Sequence, residues 1–165
     1  MSFSEKEKIE PFVLDDVYKK NLARKDFAIT RLKNALGSLN GKIITLLGLT
    51  YKPCTPTLRR SRALEIAALL KSAGATLKLH DPAASETELS KLCNFEFFRD
   101  PYAATTTAEA IILITPWPDF KNLNFKTIAK EAHPSAVFFD IPNFLWDKEK
   151  DIISAGLKYL GTGRK

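Results

Sequence analysis

Apolar residues recur along the chain in two rhythms. Leu14, Val17, Tyr18, Leu22, Ala28, Leu32, Ala35, Leu36 and Leu39 return at spacings of three and four. That period predicts one long helix over 14–39, closed by Asn40-Gly41. Its charged positions (Lys19, Lys20, Arg24, Lys25, Arg31, Lys33) read as a solvated face. From residue 42 the rhythm changes to short apolar runs of strand length at 42–47, 76–80, 95–98, 110–115, 136–139 and 157–160. Helical stretches fall between them, at about 60–73, 85–92, 102–108, 125–132 and 147–154. In the first, Ala63, Ile66, Ala67 and Leu70 form one stripe. The run at 42–47 is almost unbroken in apolar character, as in a strand covered on both faces. Alternation of this kind predicts an α/β fold: a doubly wound, Rossmann-like parallel sheet of about six strands in three αβα layers, preceded by the long N-terminal helix.

At 165 residues the chain is large enough for a real core. The pattern divides it into a polar segment, 1–13, broken by Pro11, a connecting or packing helix, 14–40, and one domain, 41–165. No apolar run approaches the roughly 20 residues of a membrane span. Glu5, Lys6, Glu7 and Lys8 stand where a signal peptide would be apolar, so a cytoplasmic location is expected.

Charge adds one constraint. The net charge of +6 suits a phosphorylated or polyanionic partner. The basic residues are spread along the chain and aromatics are not interleaved with them, which favours a small phosphorylated ligand over nucleic acid. Cys54 and Cys93 have no metal-ligand spacing, and His80 and His133 are separate from them, so no metal site is expected.

The stretch from Ile43 to Ser61 concentrates the unusual chemistry. An apolar strand breaks at Gly48, crosses a loop rich in Pro and Thr (Pro53, Thr55, Pro56, Thr57), and passes into the next helix. Ligands of open α/β sheets bind at such strand ends. Lys52 lies on this loop, with Arg59, Arg60 and Arg62 expected around the helix start, where the macrodipole disfavours cations. Two readings stand side by side: an anion such as phosphate held by the cations and free N–H groups, or long basic side chains pointing into water. Asp81, at the end of the second strand, could contact a ribose, but Asp81-Pro82 reads better as a turn. Pro116-Trp117-Pro118 makes a stiff loop at the same sheet edge as Lys52.

Motifs for complete catalysis are not evident in the chain. No G-x-G-x-x-G follows a strand, and neither a phosphate-binding G-x-x-x-x-G-K-[ST] nor a G-x-S-x-G elbow occurs. Cys54 is the one candidate nucleophile of the loop, beside its cations, and it reads first as an ordinary small residue.

Several ordered stretches resemble one family. Leu46-Leu47-Gly48-Leu49-Thr50-Tyr51-Lys52-Pro53, with Thr55, Arg59 and Ser61 following, is similar to the "LGLAFKPxTDDxRxSP" signature of UDP-glucose/GDP-mannose dehydrogenases, which opens their C-terminal, UDP-binding domain. Gly74-Ala75 through His80-Asp81-Pro82 resembles "GAxVxxYDP", and Ala108-Glu109-Ala110 through Phe120 resembles "gaDAlvixTeWpeF". Val137 to Asp140 with Asn143 resembles "vvxDgRN", and Gly156 to Arg164 resembles the closing "GfxyxgiGr". Asn21 to Leu39 looks like the tail of the helix that joins the two halves of these enzymes and builds their dimer. Together the likeness runs over about 15–165.

The resemblance implies a nucleotide-sugar-binding domain. It places Tyr51 and Lys52 on a UDP-sugar and Arg59 on NAD bound by another domain, with a homodimer formed through the helix. The family oxidises the C6 alcohol of a nucleotide sugar to a carboxylate with two NAD molecules and a cysteine. Both that cysteine and the NAD-binding unit belong to the family's N-terminal half, which the matched stretches do not include. Neither Cys54 nor Cys93 falls on the family's cysteine, so no catalytic residue is assigned. This sequence departs from the signatures at Pro56-Thr57 for Asp-Asp, at Arg60, and at Ile141-Pro142 for the Gly-Arg of "DgRN". Loss of that arginine would cost about 1.5–3 kcal/mol of binding. These departures also leave open an alternative: a non-catalytic nucleotide-binding or oligomerisation module with the same fold.

Overall fold

The computed structural model describes residues 27–92 and 95–163. Six strands form one sheet: β1 (Ile43–Leu47), β2 (Thr76–His80), β3 (Glu96–Phe97), β4 (Ala110–Leu113), β5 (Val137–Asp140) and β6 (Lys158–Gly161). Their order is β3-β2-β1-β4-β5-β6, and every pairing is parallel. The expected doubly wound architecture is therefore present. The order reverses direction between β1 and β4, so the crevice beyond their carboxyl ends is the place where such sheets receive ligands.

Helices connect the strands: α1 (27–36), α2 (Arg62–Ser72), α3 (Glu86–Leu92), α4 (Pro101–Thr105), α5 (Phe125–Glu131) and α6 (Glu149–Ser154). Residues 14–26 of the long helix expected from the pattern lie outside the described residues. Its end is earlier than Asn40-Gly41 suggests. Gly37, at φ +76°, returns its N–H to the Lys33 carbonyl and closes the helix after residue 36. A glycine adopts that left-handed turn without steric cost, which the period alone does not weigh. Ala28, Leu32 and Leu39 are buried in the same core as Ile44, Leu46, Leu70 and Phe139. The described part of α1 is thus part of the domain's packing.

Both faces of the sheet are covered. One core holds Ile44, Leu46, Ile112, Val137 and Phe139 against α1 and α2. The other holds Leu47, Ile111, Leu113 and Phe138 against Phe125, Ile128 and Ile152 of α5 and α6. β4 and β5 are buried along their whole length, which explains the apolar runs Ala110–Leu113 and Val137–Phe139, and β5 closes on the buried Asp140. The pattern overstates the length of β4: it ends at Leu113, and Ile114 and Thr115 belong to the loop beyond it.

His80 closes β2 inside the second layer of this packing. It is buried, its ring lies 5.9 Å from that of Phe120, and Nδ1 is 3.0 Å from the Phe98 carbonyl. A carbonyl only accepts, so Nδ1 carries a proton. Burial lowers its pKa below 6.5, against the raising effect of the Phe98 carbonyl and of Asp81, Asp100 and Asp119. On acidification the unfolded chain takes up this proton first, from about pH 6.5, while the native ring stays neutral. The stability contributed by a neutral His80 is present above that pH and is lost as the pH falls toward the native pKa. Asp140 acts in the opposite sense, because burial raises its carboxyl above 3.8. The native state retains that proton where the unfolded state has lost it. Thermal melts between pH 7.5 and 5.5 are expected to show a falling midpoint for the wild type and a shallower slope for His80→Gln. Equal slopes would remove His80 as the source.

Candidate functional site

The crevice is built where three loops meet. β1 ends at Leu47, and Gly48 turns the chain at φ +85° with its N–H on the His80 carbonyl. A Cβ at Gly48 would lie 2.3 Å from the Thr115 carbonyl oxygen and 2.7 Å from the Thr115 nitrogen. No side chain but hydrogen therefore fits between the two strand ends.

Asp81 locks the loops together. Its Oδ2 accepts from the Leu49 N–H at 2.6 Å, the Thr50 N–H at 2.9 Å, the Thr50 hydroxyl at 3.0 Å and the Trp117 indole N–H at 3.1 Å. Its Oδ1 accepts from the N–H groups of Ala83 and Ala84, both at 2.9 Å. Thr115 donates its hydroxyl to the Thr50 carbonyl at 2.6 Å. The turn reading of Asp81 is borne out by its two local bonds. The sequence does not indicate the other four, which join the β1 loop and the β4 loop. Buried beneath the loop with both oxygens engaged, this carboxylate does not present itself to a ribose.

Farther on, the loop is pinned at both ends. Tyr51 donates its N–H to the Thr57 carbonyl at 2.8 Å. Ser61 donates its hydroxyl to the Leu49 carbonyl at 2.5 Å and accepts from the Ala63 N–H at 3.1 Å, capping α2. The cap corrects the expectation that all three arginines crowd the helix start. Arg59 and Arg60 precede the cap, and only Arg62 stands in the first turn. The Ser61 hydroxyl is the local cause: it caps the helix directly after Arg60. Within the loop Cys54 and Arg60 both have φ of 60°, a conformation that costs a non-glycine residue on the order of 1 kcal/mol.

A cavity of about 480 Å³ opens on this loop, lined by Tyr51, Lys52, Arg60 and Arg62 and backed by Thr115 and Pro116. Tyr51 and Lys52 are brought together there, and Tyr51 is 61% exposed. Arg59 is exposed but does not line the cavity. Lys52, Arg60 and Arg62 have no carboxylate partner among the described residues. Of the two readings of the loop's charge, the convergence of three cations on one concavity favours the anion. Cys54 is exposed and outside the cavity lining, and Cys93 lies outside the described residues.

A second cavity, of about 310 Å³, adjoins the first and shares Arg62 and Ile114 with it. Its far wall is the turn after β5. There Asp140 accepts from the N–H groups of Phe144 and Leu145 and from the Tyr159 hydroxyl. Asn143, at φ 54°, exchanges hydrogen bonds of 2.9 Å with the Thr162 backbone in both directions. Pro142 stands between them and contributes no donor to the cavity.

Among the described residues no cluster of His, Cys, Asp or Glu could hold a metal ion, and no helix is long and apolar enough to cross a membrane. Comparison with known proteins gives a consistent picture. A family model described as "UDP-glucose/GDP-mannose dehydrogenase family, UDP binding domain" matches residues 45–147. The chain is 30% identical over 151 residues to UDP-glucose 6-dehydrogenase of Rhizobium meliloti, covering 92% of this chain and 33% of that protein. It is 32% identical over 159 residues to UDP-glucose 6-dehydrogenase TuaD of Bacillus subtilis, covering 93% and 33%. Among solved structures, a UDP-glucose dehydrogenase from the hyperthermophilic archaeon Pyrobaculum islandicum superposes with a TM-score of 0.73 at 31% identity, over 84% of this chain and 30% of that one. The chain thus spans about a third of the length of the curated relatives it matches.

Proposed function

Because the chain belongs to the UDP-glucose/GDP-mannose dehydrogenase family and carries its UDP-binding domain, we propose that the larger cavity receives the diphosphate of a UDP-sugar. The observation that carries this reading is the trio Lys52, Arg60 and Arg62 on one concavity at the sheet's switch point, without a neutralising carboxylate among the described residues of its lining. A nucleoside diphosphate supplies the missing negative charge. Lys52 serves as a point cation for a phosphate oxygen, and the exposed Tyr51 ring offers a face for the ligand.

Arg59 stands apart from that cavity, which supports a separate role. In this reading it reaches NAD held by another part of the enzyme, in the same polypeptide or in a partner. NAD would accept hydride during oxidation of the sugar alcohol. The described residues contribute binding and orientation of the nucleotide sugar. Pairing of two chains through the helix ahead of β1 belongs to the same reading.

Titration calorimetry of the chain with UDP-glucose tests the proposal. Binding is expected, and Lys52→Ala should weaken it by roughly tenfold or more, the value of one charge-assisted hydrogen bond to phosphate. Absence of heat and of a thermal shift at millimolar UDP-glucose would overturn it.

A further inference from the structure

Arg60 and Arg62 have no counterpart in the family signature, and of the two only Arg62 lines both cavities. Among the described residues of the smaller cavity's lining it is the one that carries a charge. The rest of that wall is largely apolar, from Ile66, Ile114, Phe139, Ile141 and Pro142, while Asn143 and Thr162 are engaged with each other. The larger cavity is cationic and the smaller one apolar, and Arg62 belongs to both. A ligand with an anionic part beside a less polar part fits this junction. A nucleoside diphosphate has that division, with a phosphate pair on one side and a heterocycle and sugar on the other.

The sequence adds an independent point. The "LGLAFKPxTDDxRxSP" stretch ends in proline at the position occupied here by Arg62, and the separate "vvxDgRN" stretch has arginine at the position occupied here by Pro142. Both positions line the same cavity. Relative to those two stretches, arginine and proline are interchanged at these positions, and among the described residues the lining's guanidinium comes from the α2 side. Proline at the first helical position needs no donor, and arginine there loses none of the helix's hydrogen bonds, so the exchange leaves the fold intact.

We propose that Arg62 is the phosphate-binding residue that joins the two cavities and sets the chain's preference for nucleoside diphosphates over nucleosides. The proposal rests on the UDP-sugar reading of the site. Its test is calorimetric titration of the chain and its variants with UDP, UDP-glucose and uridine. Arg62→Ala is expected to weaken UDP and UDP-glucose by about tenfold or more and to leave uridine unchanged, since one charge-assisted contact to phosphate is removed. Arg62→Lys should recover part of the loss, because it restores charge without the bidentate fork. Adding Pro142→Arg to Arg62→Ala should recover UDP affinity from the opposite wall. Arg62 is exposed, so the variants are expected to melt with the wild type. Unchanged UDP affinity in Arg62→Ala, with Lys52→Ala weakened, would overturn this assignment and leave the family reading standing. Failure of the wild type to bind UDP at all would overturn both.

Discussion

A Gly48→Ala substitution is expected to lower the melting midpoint by roughly 10 °C or more, or to prevent folding, at a cost of about 4 kcal/mol or more. Two effects add. At φ +85° an alanine is forced into a left-handed backbone that glycine adopts freely. Steric overlap is the greater of the two, because the new Cβ would sit 2.3 Å from the Thr115 carbonyl oxygen. That atom is backbone at the end of the neighbouring strand, where no rotamer change relieves the clash. Relief requires the ends of β1 and β4 to separate, which would break the Ile114 N–H to Leu47 carbonyl bond and open the crevice. Gly41→Ala separates the two effects. Gly41 has φ +74° and nothing within 4 Å of the added Cβ, so only the backbone strain applies, about 1 kcal/mol. Similar melting midpoints for the two variants would show that the close approach of β1 and β4 is not what requires glycine.

An Asp81→Asn substitution is expected to cost about 3–5 kcal/mol despite preserving the side chain's shape. The carboxylate accepts six hydrogen bonds, two on Oδ1 and four on Oδ2. An amide replaces one acceptor oxygen with a donor. Whichever way it turns, the N–H groups that faced that oxygen then face N–H. In a domain whose total stability is on the order of 5–15 kcal/mol this is a large fraction. The consequence extends to the site, since the same carboxylate holds Leu49 and Thr50, directly ahead of Tyr51 and Lys52. Asp81→Asn is therefore expected to weaken UDP-glucose binding as well as stability, although Asp81 is buried. Urea denaturation gives the first quantity and calorimetry of the folded variant the second. A variant with wild-type urea midpoint would refute the six-bond account.

Gly48 and Asp81 also mark the boundary between what a stretch of residues conveys and what it does not. Gly48 announces itself in sequence as the break after an apolar strand, and the motif around it is recognisable. The reason for the glycine is the backbone of Thr115, remote along the chain, which no local rule brings near. Asp81-Pro82 signals a turn, and the bonds of Asp81 to Ala83 and Ala84 are that turn. Its bonds to Leu49, Thr50 and Trp117 depend on strand order, which local sequence does not carry. The prolines around Trp117 place it on the correct sheet edge, but nothing in them indicates a partner for its indole N–H.

For the candidate site the division is similar. Tyr51 and Lys52 follow one another after β1, so a shared cavity is within reach of the sequence. Arg62 is, in sequence, one more cation near a helix start. Its meaning depends on the turn after β5, where Pro142 stands, and on the Ser61 cap that separates it from Arg60.

By itself, then, the sequence determined the element order, the buried character of the central strands, the family and the loop on which the site is built. Hydrophobic period and turn chemistry are local, and they are written residue by residue. Tertiary structure decided that β1 lies between β2 and β4, that one buried carboxylate ties their loops, and that an arginine of α2 and a proline beyond β5 line one cavity. Those facts arise from the packing of remote segments, whose contacts are set by the arrangement of the whole sheet and by no single stretch of chain.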